Sequence, residues 1–214
     1  MTSWQSYKNL YRAHGLKRVW THIRETSLFD WRYGVDTGTW MPLSEYSNTD
    51  ADMKHYQASF TGEIKRCFTL LRSLCDTASY TFFDIGCGKG KVLILAAQHL
   101  PCRGITGVEL DHGLAETARR NLEIRSVNGH VVEVNARDFR EYAPRSIVYI
   151  CDPFGEETLH AMLEQITQHC DECYLIYNNP AYAAEPFGFH KIRETGGWHA
   201  NYRTVIYHFK KDSL

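Results

Sequence analysis

The chain has 214 residues and a formal net charge of −1, a length that suits one domain or one domain with an N-terminal extension. No apolar run approaches the ~20 residues of a membrane span. The first residues (Thr2, Ser3, Trp4, Gln5) lack an apolar signal core, and the near-neutral charge gives no general attraction to nucleic acid or anionic membrane. Seven cysteines, odd in number and scattered, argue for free thiols in a reducing compartment, so a cytoplasmic location is expected.

Trp4, Tyr7, Leu10, Tyr11 and His14 recur at helical spacing, and Leu16, Val19, Trp20 and Ile23 repeat the pattern after Gly15. Lys8, Arg12, Lys17, Arg18 and Arg24 make this segment basic, as a solvated helix face would be. From 27 to 52 the periodicity is lost among turn-formers such as Asp30, Gly34, Asp36, Gly38 and Pro42. Phe29, Trp31, Tyr33, Trp40 and Tyr46 are nevertheless too apolar for an idle linker, which predicts a lid or a structural cover over one face. Residues 1–57 are thus expected to form a helical and lid extension, and 58–214 the main domain.

From Ala58 onward helices and strands alternate. A helix is predicted over 58–74, with Ile64, Cys67, Phe68, Leu71 and Leu74 on one stripe. Strands follow at 80–85, 104–110, 130–134, 146–151 and 172–177. Between them lie helices at 91–99, 113–125 and 158–169, the second ending at Asn128-Gly129. Such alternation implies a parallel sheet covered on both faces. Two last strands, 189–194 and 202–209, are joined too closely for a helical crossover and must pair as a hairpin. Residues 180–186 are also too few for a crossover helix, so a single turn must serve there.

The most informative stretch is Phe82-Phe83-Asp84-Ile85-Gly86-Cys87-Gly88-Lys89-Gly90-Lys91. It predicts a buried strand, an acid at the strand end and a glycine turn that brings bare backbone N–H groups against a ligand at a helix N-terminus. The spacing is G-x-G-x-G. The dinucleotide fingerprint would need glycine at position 91, which is lysine, and this disfavours a nicotinamide-dependent oxidoreductase.

With Asp84 just before it, the loop resembles motif I of the class I S-adenosyl-L-methionine (SAM)-dependent methyltransferases. The resemblance covers roughly Ala58 to the C-terminus. It implies a three-layer, Rossmann-like α/β fold with a mostly parallel seven-stranded sheet ending in an antiparallel hairpin, and SAM as cofactor. Asp84 would meet the SAM amino group, and Gly86, Cys87, Gly88 and Gly90 would form the cofactor loop. Glu109, in Val108-Glu109-Leu110, lies about 20 residues past the glycines, the spacing at which such folds place an acid on the ribose hydroxyls. In Asn135-Ala136-Arg137-Asp138-Phe139, the resemblance puts Asp138 and Phe139 at the adenine.

Cys151-Asp152-Pro153-Phe154-Gly155 closes strand four where amino-methyltransferases carry (Asn/Asp)-Pro-Pro-(Tyr/Phe), with one proline missing here. Asp152 is thereby both a cofactor-side and a catalytic candidate, able to accept a proton. Tyr177-Asn178-Asn179-Pro180 closes strand five at the same edge, with Asn178 the second catalytic candidate and Asn179 expected to be extended before proline. The chain is most similar to a bacterial group without assigned substrate, and its helical N-terminus resembles that of the seven-strand histone-lysine enzymes. The expected reaction is methyl transfer to an N or O nucleophile of a small molecule, sugar or protein side chain. The alternative is a non-catalytic SAM-binding or protein-interaction module. Long nucleic acids are disfavoured as partners by charge, and no membrane partner or metal is expected. Cys170-Asp171-Glu172-Cys173 has no second ligand pair to complete a zinc site.

Overall fold

Successive residues of a strand point to opposite faces of a sheet. Phe82 and Phe83 do so, Phe82 joining one buried apolar cluster and Phe83 the other. The computed structural model describes residues 12, 16, 19–20, 23–25, 27–38, 41–196 and 203–211, and its two clusters sandwich one seven-stranded sheet. The strands are β1 (Thr81–Ile85), β2 (Ile105–Glu109), β3 (His130–Glu133), β4 (Arg145–Ile150), β5 (Glu172–Asn178), β6 (His190–Gly196) and β7 (Arg203–Lys210). They lie in the order β3-β2-β1-β4-β5-β7-β6. Neighbours among β1–β5 are parallel, and β7 is antiparallel to both β5 and β6.

Helices α1 (Ser27–Tyr33), α2 (Thr61–Leu74), α3 (Lys91–His99) and α4 (His112–Ile124) supply residues to the first cluster. Helix α5 (Glu156–His169) packs on the other face through Leu159, Met162, Leu163 and Ile166. In α3 the run from Val92 to Ala96 is buried throughout, so this helix shows no polar stripe. A 3₁₀ turn, Glu185–Phe187, lies between β5 and β6, the single turn the short connection required.

Three local expectations change. Residues 27–33 are helical although their pattern shows no amphipathic period, because Leu28 and Trp31 point to solvent beside the buried Phe29. Helix α4 ends before Asn128-Gly129. Ser126 takes the left-handed conformation (φ +50°), with Ser126 N–H donating to Glu123 O (2.9 Å) and Val127 N–H to Leu122 O (2.9 Å). Asn179 stands at φ +54°, outside the extended region, and its N–H donates to Arg203 O at 2.6 Å. The early stripe of Trp4, Tyr7, Leu10, Tyr11 and His14, together with Trp40, lies outside the described residues.

Candidate functional site

Open α/β sheets bind ligands in the crevice beyond the carboxyl ends of their strands. Here that edge carries a cavity of about 230 Å³, lined by Asp84, Gly86, Cys87, Glu109, Leu110, Asp152 and Asn178 among others. Seven of the eleven residues singled out from sequence therefore line one space. Asp138 and Phe139, and the loop glycines Gly88 and Gly90, are not among its lining.

Asp84 ends β1 almost completely buried, 2% exposed, and its Oδ2 has no hydrogen-bond partner. Burial, then the neighbouring Glu109 charge, push its carboxyl well above the usual range. An unpartnered buried carboxylate oxygen facing a cavity is chemically incomplete, and it fits a donor or cation arriving from outside.

The glycine turn departs from expectation in one respect: its amides are not bare. Val108 O accepts from Gly86 N–H (2.8 Å) and Cys87 N–H (3.0 Å), and Cys87 O accepts from Gly90 N–H (2.9 Å). Gly88 N–H donates to Glu109 Oε2 at 2.7 Å. Glu109 Oε1 accepts from Leu110 N–H (2.9 Å) and Asp111 N–H (3.0 Å). Burial raises the Glu109 pKa and these three amides pull it back, leaving it raised. The two loop lysines hold the N-terminal segment. Lys89 Nζ meets both carboxylate oxygens of Asp36 at 2.9 Å. Lys91 Nζ donates to Glu25 O (2.6 Å) over the Phe29 ring (4.7 Å), and burial lowers its pKa to about 8.

After β3 the cavity wall is Asn135 and Ala136, three residues before the expected pair. Asp138 is exposed, while Phe139 is buried between Phe83 (5.9 Å) and Tyr142 (4.9 Å). Phe139 is the large apolar residue of the stretch, so the second core cluster takes it.

At the ends of β4 and β5, Asp152 (φ +45°) and Asn179 (φ +54°) hold left-handed conformations that non-glycine residues rarely adopt. Such strain concentrates at functional sites. Asn178 Nδ2 donates to Tyr149 Oη (3.1 Å), and Thr204 Oγ1 donates to Asn178 Oδ1 (3.4 Å), so Asn178 is oriented from two sides. Pro153 lies against the glycine turn: a Cβ on Gly86 would stand 2.6 Å from Pro153 Cβ.

Residues 41–57 cross this edge as a strap. Its bridges are Met41 to Tyr56 and Met53 to Phe154. Arg137 Nη2 contacts both oxygens of Asp50 at 3.0 Å, and Asn135 Nδ2 donates to Asp50 at 2.9 Å. Asp52 Oδ2 accepts from Thr158 N–H in the first turn of α5 (2.8 Å), and Asp52 O accepts from Gly155 N–H (2.7 Å). Lys54 Nζ meets Asp152 Oδ1 at 2.5 Å, and Lys54 N–H donates to Pro153 O at 3.0 Å. Tyr46 and Tyr56 both line the cavity, and Tyr56 Oη donates to Thr37 O (2.7 Å). Lys54 and Tyr149 escaped the sequence analysis, because a lone lysine in a turn-rich segment or a tyrosine inside an apolar strand carries no local signal; Asn135 and Ala136 lie in the stretch it singled out but were not the residues chosen from it.

Among the described residues no group of three or more His, Cys, Asp or Glu side chains is placed to hold a metal ion. No helix among them is long and apolar enough to cross a membrane.

Residues 82–173 match the family model described as a methyltransferase domain. No curated protein matches the chain. Among solved structures, a candidate RNA methyltransferase from Pyrococcus horikoshii superposes with TM-score 0.58 at 17% identity, over 78% of this chain and 91% of that one. The magnesium protoporphyrin IX methyltransferase of Synechocystis PCC 6803, solved with SAM, gives 0.57 at 16% identity, over 70% and 79%. An RNA methyltransferase from Salinibacter ruber, in complex with S-adenosyl-L-homocysteine, gives 0.54 at 13% identity, over 73% and 96%. At these identities the likeness concerns the fold. Two of the three are named for RNA, so the expectation that disfavoured long nucleic acids finds no support here; net charge sums the whole chain and says nothing of local surfaces. Residues 82–173 thus form a methyltransferase domain, set in a sheet of this order with an acid and a glycine turn at its ligand edge, the class I fold of methyltransferases that use SAM as cofactor.

Proposed function

We propose that SAM occupies the cavity at the carboxyl edge of β1, β2 and β4, and that Asp152 presents a nitrogen nucleophile to it. The observation that carries the choice of nitrogen is the ammonium already on Asp152. Lys54 Nζ lies 2.5 Å from Oδ1, on the residue preceding the proline that packs against Gly86. The position therefore accommodates an amine next to the cofactor turn. The partial likeness of Asp152-Pro153-Phe154 to the amino-methyltransferase motif points the same way.

Bound SAM supplies a methyl group already activated on a sulfonium. The chain then has to align the acceptor, exclude water and take a proton. Asp84 fits the cofactor's ammonium, because its unpartnered Oδ2 needs a donor. A carboxylate offers roughly four lone-pair sites, and three on Glu109 are used by backbone amides, which leaves room for about one ribose hydroxyl. Asn135 and Ala136 replace Asp138 and Phe139 as the wall offered to the adenine. Asp152 accepts an N–H of the acceptor amine and removes its proton. Asn178, held by Tyr149 and Thr204, keeps one amide N–H free to orient the acceptor. The strap over residues 41–57 covers part of this edge and leaves Asp152 in reach of solvent. The amine can be borne by a small molecule, an amino sugar or a protein side chain.

Methyl-labelled SAM offered with a panel of primary amines and matched alcohols and phenols tests the assignment. Label on amine products, lost with Asp152→Ala, is the expected result. Label confined to oxygen products would overturn the nitrogen assignment.

A further inference from the structure

We propose that Lys54 is itself a methyl acceptor, so that the protein modifies its own Lys54 Nζ in cis. The proposal rests on the reading of the Asp152 position given above. Two lysines line the cavity. Lys91 turns its ammonium away, onto Glu25 O (2.6 Å) and the Phe29 ring (4.7 Å). Lys54 turns its ammonium onto Asp152 Oδ1 at 2.5 Å.

The lysine is delivered to that place by its backbone. Lys54 N–H donates to Pro153 O (3.0 Å), and the preceding residue, Met53, bridges Phe154. Both ends of the Asp152-Pro153-Phe154 turn are thereby tied to the residues that carry the amine. A nucleophile tethered in this way reacts at a high effective concentration, without the entropy loss of a second molecule. The other ties of the strap, Asp50 to Arg137 and Asp52 to α5, engage their carboxylates with a guanidinium and a backbone amide and bring no amine to the cavity. The Tyr182 ring lies 5.7 Å from Nζ, and a methylated ammonium keeps its charge and its attraction to an aromatic face.

The step balances without a further reagent. The ammonium gives one proton to Asp152, which exposes the nitrogen lone pair. The N–C bond forms as the S–C bond of SAM breaks, and that bonding pair stays on sulfur, leaving S-adenosyl-L-homocysteine and N-methyl-lysine. Asp152 is 19% exposed and Lys54 34% exposed, so the proton passes on to solvent.

Lys54 would then be an internal competitor of any external amine, and its methylation would weaken its hydrogen bonding to Asp152 by removing donors.

The test incubates the purified chain with SAM at several protein concentrations and follows peptide masses after proteolysis, with SAM binding measured in parallel by titration calorimetry. We expect the Lys54 peptide to gain the mass of one or more CH₂ units at a first-order rate independent of protein concentration. Asp152→Asn should slow that gain at least tenfold, and Lys54→Arg, which keeps a cation on Asp152, should abolish it at this position. A protein that binds SAM yet leaves the Lys54 peptide unchanged overturns the proposal while leaving the cofactor site intact. A gain whose rate rises with protein concentration also overturns the cis assignment. Absence of SAM binding would overturn the cofactor placement and this proposal together.

Discussion

The Tyr56 ring lies where a side chain at position 88 would begin: a Cβ on Gly88 would stand 2.6 Å from Tyr56 Cδ2 and nearer still to Cε2. Gly88 also holds φ +53°, which L side chains rarely adopt. Gly88→Ala should therefore destabilise the fold by about 1–3 kcal/mol through backbone strain and overpacking. The effect runs through Tyr56, so Gly88→Ala combined with Tyr56→Ala should cost less than the sum of the two single changes. Denaturant unfolding of the three variants measures this. Strict additivity would mean that the two residues do not meet.

Asp84 predicts a pH dependence of binding. Its carboxyl is raised by burial and by Glu109, with Cys87 from the glycine turn and Cys151 from the end of β4 also close enough to interact with it. Burial thus penalises the charged form without ligand, and a cationic ligand favours it. SAM binding should release a proton, and affinity should rise with pH until the raised ligand-free value is passed. For folding alone the sign is opposite. A carboxyl whose folded pKa is raised contributes stability that is full below 3.8 and lost as pH rises through the folded value. Calorimetry in two buffers of different ionisation enthalpy reads the proton directly. Asp84→Asn should abolish the release; an unchanged release would assign it to another group.

Glu109 couples binding to folding. Glu109→Gln keeps one acceptor oxygen, for Leu110 and Asp111, but sets an NH2 against Gly88 N–H and removes the charge; it should weaken SAM binding by about tenfold, in line with ~1.5 kcal/mol for a hydrogen bond to a charged group, with a smaller loss of stability. Glu109→Ala strands all three amides, and should destabilise the fold by ~1–3 kcal/mol. Titration calorimetry and urea unfolding together check both effects. Full affinity in Glu109→Gln would remove this residue from the cofactor site.

The strap should open before ligand can enter or leave. Arg137→Ala removes the paired contacts to both oxygens of Asp50, so amide exchange within 41–57 should quicken and the off-rate of S-adenosyl-L-homocysteine should rise. In the wild type, that ligand should slow exchange across the same residues. Protection confined to Asp84 and Glu109 and their immediate neighbours would make the strap a fixed cover.

Asp52 provides a simpler measurement at the same edge. Its carboxylate accepts from Thr158 N–H at 2.8 Å, capping the first turn of α5. Asp52→Ala should cost ~1 kcal/mol, as loss of a helix cap does. A melting curve identical to wild type would show that the cap contributes nothing.

The amino-acid sequence by itself determined the strands, their flanking helices and the glycine turn that follows β1. Those features follow from local rules: Phe82 and Phe83 must face opposite ways, the apolar run from Val92 to Ala96 in α3 must be buried, and two closely joined strands must pair as a hairpin. Asp84, the glycine turn and Glu109 then meet at one cavity because β1 and β2 are parallel neighbours, an order that the tertiary structure supplies. Only the tertiary structure decided which side chains complete that edge. Lys54 meets Asp152 across 98 residues, and Asp50 meets Arg137 across 87. Turn-formers in 27–52 limit local backbone angles without saying where the segment goes. Competition for the core settled the loop after β3, where the packing of Phe139 against Phe83 and Tyr142 left Asn135 and Ala136 at the cavity. Sequence pattern reports which residues are buried and how the chain turns locally, whereas partners joined through long irregular segments are selected by shape and charge in the folded chain.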